Sequence, residues 1–163
     1  MLENFSVREA SWSDLEHLVE FNAAMALETE GKLLDKDRLR SGAEAVLSSP
    51  SRGVYVVGEY GEGPQERQVI GQLLITYEWS DWRNANFWWI QSVYVHPDWR
   101  NRGVFRAMYE FVLQQAETRA DVCGIRLYVE QDNAQAIAVY DKLGLRPTPY
   151  RVIEVDFVFP TAV

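Results

Sequence analysis

Residues 93–106 read Val-Tyr-Val-His-Pro-Asp-Trp-Arg-Asn-Arg-Gly-Val-Phe-Arg. An apolar strand stops at His96-Pro97, a short basic turn with one glycine follows, and an amphipathic helix starts at once with Ala107-Met108-Tyr109-Glu110-Phe111-Val112-Leu113. The first N–H groups of a helix have no internal partner, and the helix dipole places partial positive charge there. That end suits a phosphate group. Gly103 has no Cβ and permits a close approach. Arg100, Arg102 and Arg106 fall in residues 100–106, which hold no acid, in a chain of net charge −8. This local reversal of charge makes the turn a candidate anion site.

Outward from the turn, hydrophobic period assigns the other elements. Phe5, Val7 and Ala10 suggest a first strand. Ser11 to Asp14 reads as a capping box, with Asp14 in the Glu/Gln role, before a helix from 12 to about 29 that Gly31 stops. Asp35 opens a second helix that ends at Ser48-Ser-Pro50. Val54–Val57 and Val69–Tyr77 are strands around a polar hairpin loop, and Gly71 interrupts the second. Phe87–Val95 is nearly continuously apolar, as expected of a strand buried on both faces. A helix over 102–120, a strand over 125–130, and a helix from Asn133 to Leu143 stopped by Gly144 come next. Tyr150–Phe159, with Val152, Ile153, Val155, Phe157 and Phe159, reads as a last alternating strand. The expected architecture is α/β: a mixed, mostly antiparallel twisted sheet of about six to seven strands, flanked by about four helices on both faces.

A length of 163 residues predicts one domain over 1–163, large enough for a core without disulfides or metals. The 47% hydrophobic share argues against disorder. The acidic balance argues against nucleic acid as main partner and is compatible with a cationic substrate. Cys123, the one cysteine, excludes an internal disulfide and reads as a structural thiol. His17 and His96 lack metal-ligand spacing, so no metal is expected. Without a leader pattern or an apolar stretch of membrane length, the expectation is a soluble cytoplasmic protein without a membrane partner.

Two patterns carry a family resemblance. Arg100-Asn101-Arg102-Gly103-Val104-Phe105 is similar to Arg/Gln-x-x-Gly-x-Gly/Ala, and Asn133-x-x-Ala136-x-x-x-Tyr140-x-x-x-Gly144-Leu145 to Asn-x-x-Ala-x-x-x-Tyr-x-x-x-Gly-Phe. Together, in this order, they make the chain from about residue 5 to 159 resemble the GCN5-related N-acetyltransferase (GNAT) family. Phe105 stands where a small residue is usual.

The resemblance implies acetyl-coenzyme A as co-substrate, with its diphosphate at Arg100–Arg106 and its pantetheine arm paired like a strand with Val93, Tyr94 and Val95. A backbone N–H near Val93 would stabilise the oxyanion. Asn133 would contact the coenzyme, and Tyr140 would lie at the sulfur and protonate the thiolate. The acceptor is expected to be a small amine or a peptide, and dimers are common in the family. Trp88-Trp89-Ile90-Gln91-Ser92 has no carboxylate, so the general base is left among Glu78, Glu28, Glu30 and the weaker Glu130. Trp79, Trp82, Trp88 and Trp89 offer an aromatic wall for a cationic amine, with Trp88 and Trp89 on opposite faces of their strand. The expected reaction is transfer of acetyl to a primary amine by direct attack. The alternative is a non-catalytic acyl-coenzyme A sensor or scaffold. A dinucleotide-binding domain fails for want of Gly-x-Gly-x-x-Gly after an early strand.

Overall fold

The computed structural model describes residues 4–63 and 66–159. The chain divides into two compact units, Met1–Tyr128 and Val129–Val163. The first contains β1 (Phe5–Glu9), α1 (Leu15–Glu30), α2 (Lys36–Leu47), β2 (Val54–Tyr60), β3 (Gln68–Ser80), β4 (Ala85–Val95), α3 (Val104–Glu117) and β5 (Val122–Leu127). Single 3₁₀ turns at Trp12–Asp14 and Pro97–Trp99 precede α1 and α3. The second unit contains α4 (Ala134–Lys142).

The sheet runs in order β1-β2-β3-β4-β5. Neighbours are antiparallel up to β4; short connections join β2 to β3 and β3 to β4, while α1 and α2 lie between β1 and β2. The crossover through α3 makes β5 parallel to β4. On one face, Leu18 and Phe21 of α1 and Ala43 of α2 form a core with Tyr55, Val57 and Tyr94. Against the other, Val104 and Met108 of α3 pack on glycines. A Cβ on Gly71 would lie 3.1 Å from Val104 Cγ1 and one on Gly58 3.5 Å from Met108 Sδ, so small residues there let the helix approach.

β4 carries a bulge. Gln72 opposes Tyr94 and Leu74 opposes Gln91, so Leu73 alone faces two residues, Ser92 and Val93. Ser92 takes φ 49°, a left-handed conformation unusual for serine. A buried polar chain stands beside it: Gln72 Nε2 donates to Asn22 Oδ1 (2.9 Å), and Asn22 Nδ2 donates to the Tyr55 hydroxyl (3.2 Å). β4 is also less buried than its apolar sequence implies. Phe87, Trp89 and Gln91 are half-exposed while Trp88 and Ile90 are buried, because α1 and α2 cover only part of that face.

Two of the expected local signals are present. Gly31 ends α1 at φ 64°, and the Ser11 N–H donates to Asp14 (2.7 Å) as a capping box requires. The same Asp14 also takes both terminal nitrogens of Arg8 (2.7 and 2.9 Å), while Arg8 Nε donates to Glu59 (2.9 Å). This ties β1, β2 and the start of α1 together.

The expected last strand is not formed. Residues 150–159 have no ladder partner among the described residues, and Ile153 and Phe157 are 94% and 92% exposed. Alternating β-prone residues are not enough; a strand needs a second backbone for its N–H and C=O groups. Among the described residues the sheet therefore has five strands, not six or seven.

Asp14 and Glu59 are only 3% and 6% exposed. Burial, the largest single influence, pushes both carboxyls up, but the hydrogen bonds outweigh it and hold both below the ordinary range: Arg8 and Ser11 at Asp14; Arg67, Ser6 and Arg8 at Glu59. Arg8→Ala is expected to lower stability at pH 7 by about 2–3 kcal/mol, less than for a fully buried pair because Arg8 is partly exposed. A depressed carboxyl contributes stability above its unfolded value and loses it as pH falls through its folded value. The gap between parent and variant should therefore close in acid. Denaturant melts at pH 7 and in acid check this; equal midpoints at pH 7 would contradict it.

Candidate active site

The turn before α3 is built as its sequence implies. Gly103 precedes the helix at φ 83°, where a Cβ is strained, and an added Cβ would meet nothing within 4 Å. Asn101 is also left-handed, at φ 61°. The backbone turns so that Val104, Phe105 and Arg106 supply the opening N–H groups of a 14-residue helix. Phe105, half-buried, lies 6.3 Å from the Tyr109 ring. Trp99 anchors the turn on Tyr60 at 4.4 Å.

The charge of the turn is less one-sided than the sequence implies, because carboxylates arrive from elsewhere. Arg106 Nε pairs with Glu110 at 2.7 Å, one helical turn on. The Arg102 guanidinium lies 5.2 Å over Trp99. Arg100 donates to Glu28 at 2.5 Å and, through Nε, to the Val95 carbonyl at 2.9 Å. Glu28 also accepts the Tyr94 hydroxyl at 2.9 Å. The Arg100 hydrogen bond holds the Glu28 carboxyl below the usual carboxylate range. Burial, with the Glu28 hydrogen bond second, pushes the Tyr94 hydroxyl up.

Beside the turn, β4 loses one neighbour. Its pairing with β5 runs from Asn86 to Ile90, and among the described residues Gln91–Val95 pair on one side only, with β3. Val93 and Val95 thus lie on the stretch of β4 with a free ladder edge, the arrangement that accepts an extended ligand as an added strand.

Glu78 belongs to a second cluster farther along the sheet. It opposes Phe87 across the β3–β4 ladder, accepts the Trp89 indole N–H, and takes Arg126 Nη1 at 2.9 Å. The Arg126 guanidinium lies 3.6 Å from the Phe87 centroid, and Trp89 stacks on Tyr128 at 4.3 Å. Arg126 and Tyr128 were invisible in the sequence, since nothing there states that Trp89 will oppose Arg126. Trp88 points the other way, lining a cavity of about 80 Å³ with Val56, Ile75, Phe111 and Val112 on the α3 face. Trp79 is exposed and Trp82 is 86% exposed, so neither walls a formed pocket here. Glu30 pairs with Lys32 at 2.5 Å, and Cys123 is a half-buried free thiol within β5.

In the second unit, Asn133 caps α4, its side chain accepting the Ala136 N–H at 3.0 Å. Its own N–H donates to the Glu130 carbonyl at 3.0 Å. Tyr140 is half-buried, and burial pushes its hydroxyl up.

Comparison with known proteins places these features in context. A family model described as Acetyltransferase (GNAT) family matches residues 12–145. The solved structure of a possible acetyltransferase from Clostridium difficile 630 is 38% identical, with TM-score 0.85 over 96% of this chain and 100% of that one. A predicted acetyltransferase with acetyl-CoA from Clostridium acetobutylicum shares the fold at 19% identity, with TM-score 0.71 over 92% of this chain and 95% of that one. Among curated proteins, the [ribosomal protein bS18]-alanine N-acetyltransferase of Salmonella typhimurium is 37% identical over 60 residues; these span 37% of this chain and 40% of that relative.

The Glu28–Arg100 pair has a direct signature. In Arg100→Gln the Glu28 carboxyl should titrate at higher pH than in the parent, because its main stabilising donor is gone. Side-chain carboxyl NMR checks this, and an unchanged titration would contradict the pairing.

Proposed function

The chain belongs to the GNAT acetyltransferase family, and from that membership we propose that it is an N-acetyltransferase moving the acetyl group of acetyl-coenzyme A to a primary amine. The observation that supports this most is the one-sided half of β4 running into the glycine turn before α3. A coenzyme with an extended amide arm and a diphosphate needs those two features in that order.

The diphosphate is assigned to the N–H groups of Val104–Arg106, with Arg100, Asn101, Arg102 and Gly103 around it. The pantetheine arm is assigned to Val93, Tyr94 and Val95. The amine attacks the thioester carbonyl, a C–N bond forms, and the tetrahedral oxyanion is held by a backbone N–H near Val93. The C–S bond then breaks and the thiolate leaves. Tyr140 is proposed to protonate it and Asn133 to contact the coenzyme; both roles, and the single domain they require, rest on the second motif. Glu28 and Glu78 are the candidate acceptors of the amine proton, directly or through water. The acceptor is a small amine or a peptide amine, near the aromatic face of Phe87, Trp89 and Tyr128.

One observation favours a second reading, an acyl-coenzyme A binder without turnover. Both candidate bases are already held by arginines, Glu28 by Arg100 and Glu78 by Arg126. Thiol release from acetyl-coenzyme A on a panel of polyamines, amino acids and peptides separates the two. Turnover supports the transferase, tight binding with no turnover supports the binder, and no binding removes both. Gly103→Glu should abolish coenzyme A binding by placing bulk and negative charge at the diphosphate, with a thermal melt to confirm folding; undiminished affinity would remove the site. Tyr140→Phe should lower kcat about tenfold with little change in KM, since a thiolate leaves with modest help; an unchanged kcat would remove its role as acid.

A further inference from the structure

Two of the turn's three arginines hold carboxylates, and the two pairs differ in kind. Arg106–Glu110 lies along one helix, four residues apart. The Glu28 carboxylate reaches Arg100 from 72 positions away, at the last turn of α1, and brings the Tyr94 hydroxyl with it. An anionic side chain thus sits against a guanidinium that the turn would otherwise offer to a phosphate. We propose that Glu28 is an internal competitor for Arg100: it holds the guanidinium until a diphosphate displaces it, and the donor's arrival thereby releases the Glu28 carboxylate at the end of α1. This rests on the assignment of the turn as the diphosphate site.

The exchange is chemically balanced. Arg100 keeps its Nε bond to the Val95 carbonyl, which fixes the guanidinium beside the turn, while its terminal nitrogens change carboxylate for phosphate. Glu28 and Arg100 side chains are 40% and 43% exposed, so solvent screens the pair and its loss costs little. Glu28 keeps the Tyr94 hydroxyl and so stays placed after Arg100 leaves. Because binding free energies are linked reciprocally, Glu28 must weaken the donor as much as the donor weakens its hold on Arg100.

A double-mutant cycle read by coenzyme A affinity tests this. Glu28→Gln should bind coenzyme A about two- to fivefold more tightly, the range expected for one exposed ion pair. Arg100→Gln should bind more weakly, and adding Glu28→Gln to it should change nothing. A Glu28→Gln variant that binds no tighter overturns the proposal. So does a gain that persists undiminished without Arg100, which would be a general charge effect. The parent alone gives a second readout, since the Glu28 carboxyl carbon and Arg100 Nε NMR signals should shift together as coenzyme A is added. A Glu28 signal that does not move while coenzyme A binds overturns the exchange. Failure of the parent to bind coenzyme A would instead remove the donor site itself.

Discussion

A β-ladder gives an inner strand two partners, and β4 keeps both only from Asn86 to Ile90. Beyond that point the bulge at Ser92–Val93 adds a residue on one side of the β3–β4 ladder, and bulges bend the strand that carries them. Among the described residues, the far half of β4 has β3 on one side and no strand on the other, where the Val95 carbonyl accepts Arg100 Nε. That edge leads through His96-Pro97 into the glycine turn. The bulge has its own support, since Gln72, opposite the bulged segment, is tied to Asn22 of α1 and through it to Tyr55 of β2. Both ends of the Asn22 amide and Gln72 Nε2 are paired, while Gln72 Oε1 is buried without a partner among the described residues.

Charge works differently at the two ends of the same face. At the turn, Glu28 and Glu110 offset Arg100 and Arg106, which leaves the Arg102 guanidinium over Trp99 and the backbone N–H groups at the start of α3 as the remaining positive charge. At the Trp89 end, Glu78 is offset by Arg126, which also lies on Phe87. Both carboxylates that a proton-transfer role would use are thus placed by arginines from other elements. Their positions are set by these pairs, and the Arg100 hydrogen bond also holds the Glu28 carboxyl below the usual carboxylate range.

Much of this was legible in the sequence where the signal is local. The strand, basic turn and helix at 93–113, the αL stop at Gly31, the Asn133 cap and the split of Trp88 from Trp89 each depend on a few neighbouring residues and on backbone geometry. What was not legible depends on pairing at a distance. Arg126 and Tyr128 reach Glu78 and Trp89 only through the parallel register of β5. Glu28 meets Arg100 only because α1 packs on the face that Tyr94 enters. The terminal segment failed in the other direction: its alternation promised a strand, and no partner backbone stands against it among the described residues.

The donor is proposed to lie on one continuous surface, the unpaired edge of β4 and the first N–H groups of α3. Amide NMR shifts on adding acetyl-coenzyme A test it most directly. The largest changes are predicted at Val93, Val95 and Gly103–Arg106. Saturable binding with those amides unmoved and the largest changes elsewhere would contradict the account.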